Sequence, residues 1–118
     1  MKYLWLDACL CAYRGTVKDY KAEWDVNRYM VGTKMYAFIG ADNHKRPIIT
    51  LKGDPDKNLA LRAAHADITP GYYMNKAHWN SVFLLGNLPD EVLREMTVDA
   101  YHSILASFSK KALAALKL

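Results

Sequence analysis

"DVNRYMVGTKMYAFIGA", Asp25 to Ala41, decides the fold class. Two runs rich in Val, Ile, Tyr, Phe and Met flank Gly32-Thr33. A two-residue connection with glycine first has the chemistry of a type II′ hairpin turn. Such a turn pins the pairing of its strands. An uninterrupted ladder around this tip sets Met30 opposite Met35 and Tyr29 opposite Tyr36, one pair on each side of the sheet.

Downstream of the hairpin, "ADNHKR" is a polar turn before Pro47, and "PIITLK" supplies another strand. "GDPDKNLALRAAH" then opens a helix: Asp54 caps it, Pro55 suits the first helical position, and Asp56 favours the positive end of the helix dipole. Asp54 and Asp56 also have the look of an acidic pair for a metal or for acid/base work, but capping accounts for both. "ADITPGYYMNKA" reads as a loop with a Pro-Gly turn, "HWNSVFLL" as a strand and "GNLPD" as a turn. From Asp90, Leu93, Met96, Ala100 and Ile104 recur on one helical face, and a short helix from Lys110 to Leu116 follows Ser109.

Upstream, Lys2 to Tyr13 is apolar on most faces, with Leu6, Leu10 and Tyr13 at helical spacing, and it stops at Gly15. The order is helix, consecutive strands, helix, strand, helix. Short turns between strands cannot make parallel crossovers, so the class is α+β, an antiparallel sheet with helices packed on one face. A small closed barrel would leave three helices with nothing to bury against.

The 118 residues are 52% hydrophobic and 24% charged, which fits one globular domain spanning 1–118 and argues against disorder. "YLWLDACLCAY" has the apolarity of a secretion signal, but Asp7 interrupts it and only Lys2 precedes it. Nothing approaches the ~20 apolar residues of a membrane span, so the expectation is a cytoplasmic protein making no membrane contact. Cys9 and Cys11, two apart on a helix, diverge and cannot pair with each other, and read as reduced structural thiols. Sixteen Lys+Arg against twelve Asp+Glu give a net charge of +4, which permits nucleic-acid contact without requiring it. Lys45-Arg46 and Lys110-Lys111 are the adjacent basic pairs, and neither forms a basic arm.

"VGTKMYAFIG", "ITLKGDPDKNLALR", "ITPGYYMNKAHWNSV" and "LPDEVLREMTVDAY" follow one another as they do in the MmcQ/YjbR family, which this chain resembles from about Asp25 to Tyr101. The most specific part runs from Tyr72 to Val82, where Met74, Asn75-Lys76, His78-Trp79 and Asn80-Ser81 coincide with the family pattern. Near the first helix, Arg14-Gly15 stands where the family usually has Pro-Gly. The resemblance implies a CyaY-like fold, with two main helices on one face of an antiparallel sheet. It also implies a DNA-binding role, and no catalytic reaction.

Strict alternation puts Tyr29, Val31, Tyr36, Phe38, Ile49, Leu51, Val82 and Leu84 on the helix-covered face. Arg28, Met30, Met35, Ile39, Lys52, Trp79, Phe83 and Leu85 then take the other, and His78 points inward. A histidine at a strand start is usually a hydrogen-bonded core or edge residue.

No Gly-rich phosphate loop, nucleophile elbow or histidine pair at metal spacing is present, so an enzyme is not expected, nor a metal or cofactor. Iron capture in the CyaY manner would want an acidic first helix, and this one offers only Asp7. Two functional readings follow. In one, Arg28, Lys45, Arg46, Lys52 and Lys76 contact DNA phosphates while Trp79 stacks on a base. In the other, the apolar face of Met30, Met35, Ile39, Trp79, Phe83 and Leu85 binds a protein partner or a second copy in a homodimer, unless "KKALAALKL" folds over it.

Overall fold

The computed structural model describes residues 2–118. Gly32 has φ +57° while Thr33 stays out of the positive-φ region, as a type II′ turn requires. The turn joins β2 (Val26–Val31) to β3 (Lys34–Ala41). β1 (Thr16–Lys21) precedes them, β4 (Pro47–Lys52) follows, and β5 (Ile68–Pro70) and β6 (Trp79–Phe83) complete an antiparallel six-stranded sheet of order β1-β2-β3-β4-β6-β5.

The hairpin carries a correction. Met30 pairs with Met35 as expected, but Tyr29 pairs with Ala37, leaving Tyr36 as an extra residue in a β-bulge. Tyr36 and Ala37 both enter the helix-covered core, and the alternation beyond them is inverted. Phe38 therefore lies on the outer face against Trp24 and Trp79. Ile39, expected outside, packs against the core opposite Ile49.

The helices α1 (Leu6–Ala12), α2 (Pro55–Ala64), α3 (Asp90–Ala106) and α4 (Lys110–Leu116) are those expected, with α1 shorter at its start. Asp54 caps α2 by accepting from the Lys57 N–H at 3.0 Å, and Ser109 caps α4 from the Ala112 N–H at 3.1 Å. α1 and α3 bring Leu6, Leu10, Leu93, Met96, Ala100 and Ile104 onto Tyr29, Val31, Tyr36, Ile49, Leu51 and Val82, and Leu61 of α2 joins them. Each Leu, Ile, Val and Met among them contributes about 1.5–3 kcal/mol by leaving water, so the inner face holds most of the stability.

The two buried tyrosines fasten α1. Tyr36 donates to the Leu10 carbonyl at 3.1 Å, and Tyr29 donates to Asp7 at 2.7 Å. Hydrogen bonds from Lys18 and then Tyr29 hold the Asp7 carboxyl below its ordinary range, while burial pushes the Tyr29 hydroxyl well up. No helix among the described residues is long and apolar enough to cross a membrane.

Candidate functional site

The segment between β5 and β6 is built by small polar groups. Gly71 comes so close to Trp79 that an added Cβ would overlap the Trp79 Cβ and lie 2.9 Å from its carbonyl oxygen. The Gly71 N–H donates to that carbonyl at 2.8 Å. The Tyr72 N–H donates to Ser81 Oγ at 3.0 Å, and Ser81 is bonded in turn to Thr50 at 2.7 Å. Asn75 closes the far end, its Oδ1 accepting from the Ala77 N–H at 2.9 Å and the His78 N–H at 3.3 Å. From α2, Asn58 donates to the Ala77 carbonyl and Arg62 to the Lys76 carbonyl, each at 3.1 Å. Asn80 reaches back to the Asn58 carbonyl at 3.2 Å.

This scaffolding lays residues 71–78 over the outer face of the sheet, and Trp79 is only 7% exposed beneath it. Trp79 points outward as expected, yet it is a floor rather than a stacking platform. His78 is corrected outright: it is exposed, and its hydrogen bonds are those of its backbone. The cover of the outer face is therefore this loop. The carboxy-terminal segment goes elsewhere.

Beyond the loop, the outer face is open in two places. One is a row of Val17, Met30 and Met35 paired across β1, β2 and β3, with Leu85 exposed past the end of β6. The other is a cavity of about 410 Å³. Its walls are Trp24, Tyr72 and Tyr73, its floor includes Phe38 and Ile48, and Glu23 stands at its edge.

The basic residues expected to meet phosphate are dispersed, and several are engaged. Arg28 makes a two-pronged ion pair with Asp19 at 2.8 and 2.6 Å. Arg46 binds Asp42 at 2.8 Å and lies over the Phe83 ring. Lys52 sits over the Trp79 ring at 5.6 Å. Lys45 and Lys76 are exposed, but they fall at opposite ends of β4, which at about 3.3 Å per residue spans some 17 Å.

A denser group lies at the Gly32 end of the sheet, mostly unforeseen. Leu116 packs on Gly32, where a Cβ would come within 2.9 Å of it, and Leu118 packs on Gly15. Tyr101 donates to the Arg14 carbonyl at 2.6 Å, and Lys34 donates to the Ser107 carbonyl at 2.9 Å. These contacts bring Arg14, Lys34, Lys110, Lys111 and Lys117 to one end of the molecule, while the chain carries no Asp or Glu after Asp99. That absence was the available sequence signal.

On the helix side, a cleft of about 350 Å³ separates α2 from α3. Lys57 spans it, bound to Asp99 and to Glu95, and these two carboxylates hold its ammonium above the ordinary range. Among the described residues no three or more His, Cys, Asp or Glu gather as metal donors.

The YjbR family model matches residues 11–103, stopping short of α4. The uncharacterized protein YjbR of Escherichia coli strain K12 is 30% identical over 96 residues, covering 81% of this chain and 80% of its own length. The uncharacterized protein YbdF of Escherichia coli O157:H7 is 32% identical over 89 residues, 75% and 70% of the respective lengths. Among solved structures, Deinococcus radiodurans protein DR2400, with its DUF419 domain, has a TM-score of 0.84 at 28% identity, over 96% of this chain and 86% of that one. A Pseudomonas syringae protein has a TM-score of 0.75 at 23% identity, over 87% and 98%, a likeness of fold alone. By the span of the family match and by these relatives, the chain belongs to the YjbR family.

Proposed function

We propose that this protein binds DNA, and that its phosphate contacts run through the end formed by α4, the β2–β3 turn and Arg14. One observation carries the reading: Lys110, Lys111 and Lys117 share that end with Arg14 and Lys34, and no carboxylate side chain follows Asp99 to oppose them. A cluster of positive side chains raises the local concentration of a polyanion, and each ammonium that meets a phosphate releases condensed counterions. Lys34 is tied to Ser107 and shapes the end, whereas Lys110 and Lys111 of α4 and Lys117 just past it are exposed and free to turn toward a ligand. Arg28 and Arg46, engaged with aspartates, contribute less.

Self-association has less support. Loop 71–78 already covers much of the apolar outer face, leaving the Val17-Met30-Met35 row as its main uncovered strip.

A salt series on labelled duplex DNA tests the assignment. Replacing Lys110, Lys111 and Lys117 together by glutamine should flatten the dependence of log affinity on log salt by about 2.7, at about 0.9 per lost contact. Replacing Lys45 and Lys76 should change it less. An unchanged slope in the α4 variant would remove this interface, and salt-insensitive binding by the unaltered protein would remove the function.

A further inference from the structure

We infer that the cavity on the outer face is a binding site for an amino-bearing nucleobase, whose attached phosphate meets Lys21. The site is separate from the α4 end: it opens between the β1–β2 turn and loop 71–78, near the start of β2, whereas α4 packs beyond its far end. At about 410 Å³ it falls within the range of small-ligand pockets.

Its walls suit a flat ring. Trp24 is 49% exposed and Tyr73 82% exposed, which is unusual for large aromatic side chains. Tyr73 is held there with φ +64°, a left-handed backbone that a bulky residue avoids. The rest of the loop imposes it: Gly71 is locked on Trp79, the Tyr72 N–H is bonded to Ser81, and the Tyr72 hydroxyl lies 3.2 Å from that of Tyr73. An exposed aromatic fixed at a backbone cost is the pattern of a ligand contact. Phe38 and Ile48 give an apolar floor, and sequence-tolerant stacking on such rings is how unpaired bases are held.

The charges choose between ligands. Among the described residues Glu23 is the one charged group lining the cavity, and an aromatic cage with a carboxylate also suits an alkylated ammonium. But Lys21 already holds its ammonium 4.4 Å from the Trp24 ring and opposes a second positive charge there. A neutral planar ring carrying an anion fits all three groups at once. The base stacks, Lys21 takes the phosphate, and Glu23 accepts from an exocyclic amine as carboxylates do from cytosine N4. Cytosine meets that demand. Uracil, with a carbonyl oxygen in that place, does not.

The test follows the tryptophan indole N–H resonances of the whole protein during titration with cytidine 5′-monophosphate, uridine 5′-monophosphate, ribose 5-phosphate and tetramethylammonium. Trp24→Phe assigns the relevant resonance. The cytidine nucleotide should move it and saturate, the uridine nucleotide should bind more weakly, ribose 5-phosphate should move it only slightly through Lys21, and tetramethylammonium should leave it in place. Trp24→Ala, on an exposed turn and followed by the backbone amide resonance of Tyr73, should weaken the cytidine nucleotide about tenfold, by the loss of one stacked base. Tyr73→Gly should weaken it too while relieving the backbone, and Glu23→Gln should erase the preference over uridine. The proposal is overturned if the cytidine nucleotide leaves the Trp24 signal unmoved, if ribose 5-phosphate matches it, if tetramethylammonium alone moves the signal, or if both ring variants bind like the parent. An octadeoxycytidylate arm separates two sources of the base. Binding at least about tenfold tighter than the mononucleotide, lost in Trp24→Ala, assigns an unpaired base of a strand, and no tighter binding assigns a free nucleotide. The glutamine variant of Lys110, Lys111 and Lys117 should keep the Trp24 response, so this site and the α4 interface fail independently.

Discussion

Loop 71–78 and helix α4 use their polar residues in opposite ways. In the loop and the strand start after it, Asn75, Asn80 and Ser81 turn their side chains onto the backbone, and Gly71 gives up its side chain so that two backbones can touch. From Ser109 to Leu118, around α4, Ser109 serves the structure in this way, and the lysines face solvent around a thin apolar edge of Leu113, Leu116 and Leu118. The loop, which carries the most recognisable pattern in the chain, is chiefly construction. The plainest stretch of the sequence carries the concentrated charge.

The largest effect that could break this contrast is at Trp79. If loop 71–78 is a structural cover, Trp79→Ala opens a cavity between Phe38, Gly71 and Lys52, and unfolding free energy should fall by about 3–5 kcal/mol, read from denaturant midpoints. A loss under about 1 kcal/mol would mean that the loop lifts readily and that Trp79 is available to a ligand after all.

Next in size is Gly71→Ala. The added methyl meets Trp79 Cβ and backbone, neither of which can swing aside as a flexible side-chain end would. Overpacking of that kind costs about 1–3 kcal/mol. Thermal unfolding of Gly71→Ala beside Ala115→Gly sharpens the comparison, because the α4 change alters an exposed site by about 1 kcal/mol or less.

The sequence predicts the architecture well where local chemistry acts alone. Gly32-Thr33, Asp54-Pro55 and Ser109 each mark an element end with its own hydrogen-bond logic, and the turn, the α2 cap and the α4 cap all follow. It predicts poorly where pairing decides. The Met35-Tyr36-Ala37 bulge carries no glycine, so strict alternation inverts Phe38 and Ile39. β1 hides behind Lys18, Asp19 and Lys21, and makes sense only beside β2, where Asp19 faces Arg28. β5, three residues ending in a proline, exists because β6 offers it an edge. At the candidate sites the same division holds: Trp24 shares a cavity with Tyr72 and Tyr73, and Gly32 meets Leu116 of α4, only through tertiary folding.

The smallest expected effect separates two adjacent roles inside the loop. Asn75 Oδ1 accepts two backbone N–H groups that the loop would otherwise leave without that acceptor, so Asn75→Ala should cost about 1 kcal/mol. His78, three residues later, keeps its N–H on the Asn75 carbonyl at 3.2 Å and its own carbonyl on the Gly53 N–H at 2.9 Å, whatever its side chain. His78→Ala should therefore change stability by no more than about 0.5 kcal/mol, as an exposed substitution away from such features does. The comparison is one pair of chemical denaturation curves at one pH. If His78→Ala costs as much as Asn75→Ala, the imidazole has a structural partner that the exposed geometry denies it, and the distinction drawn within the loop between backbone-binding and solvent-facing side chains is wrong.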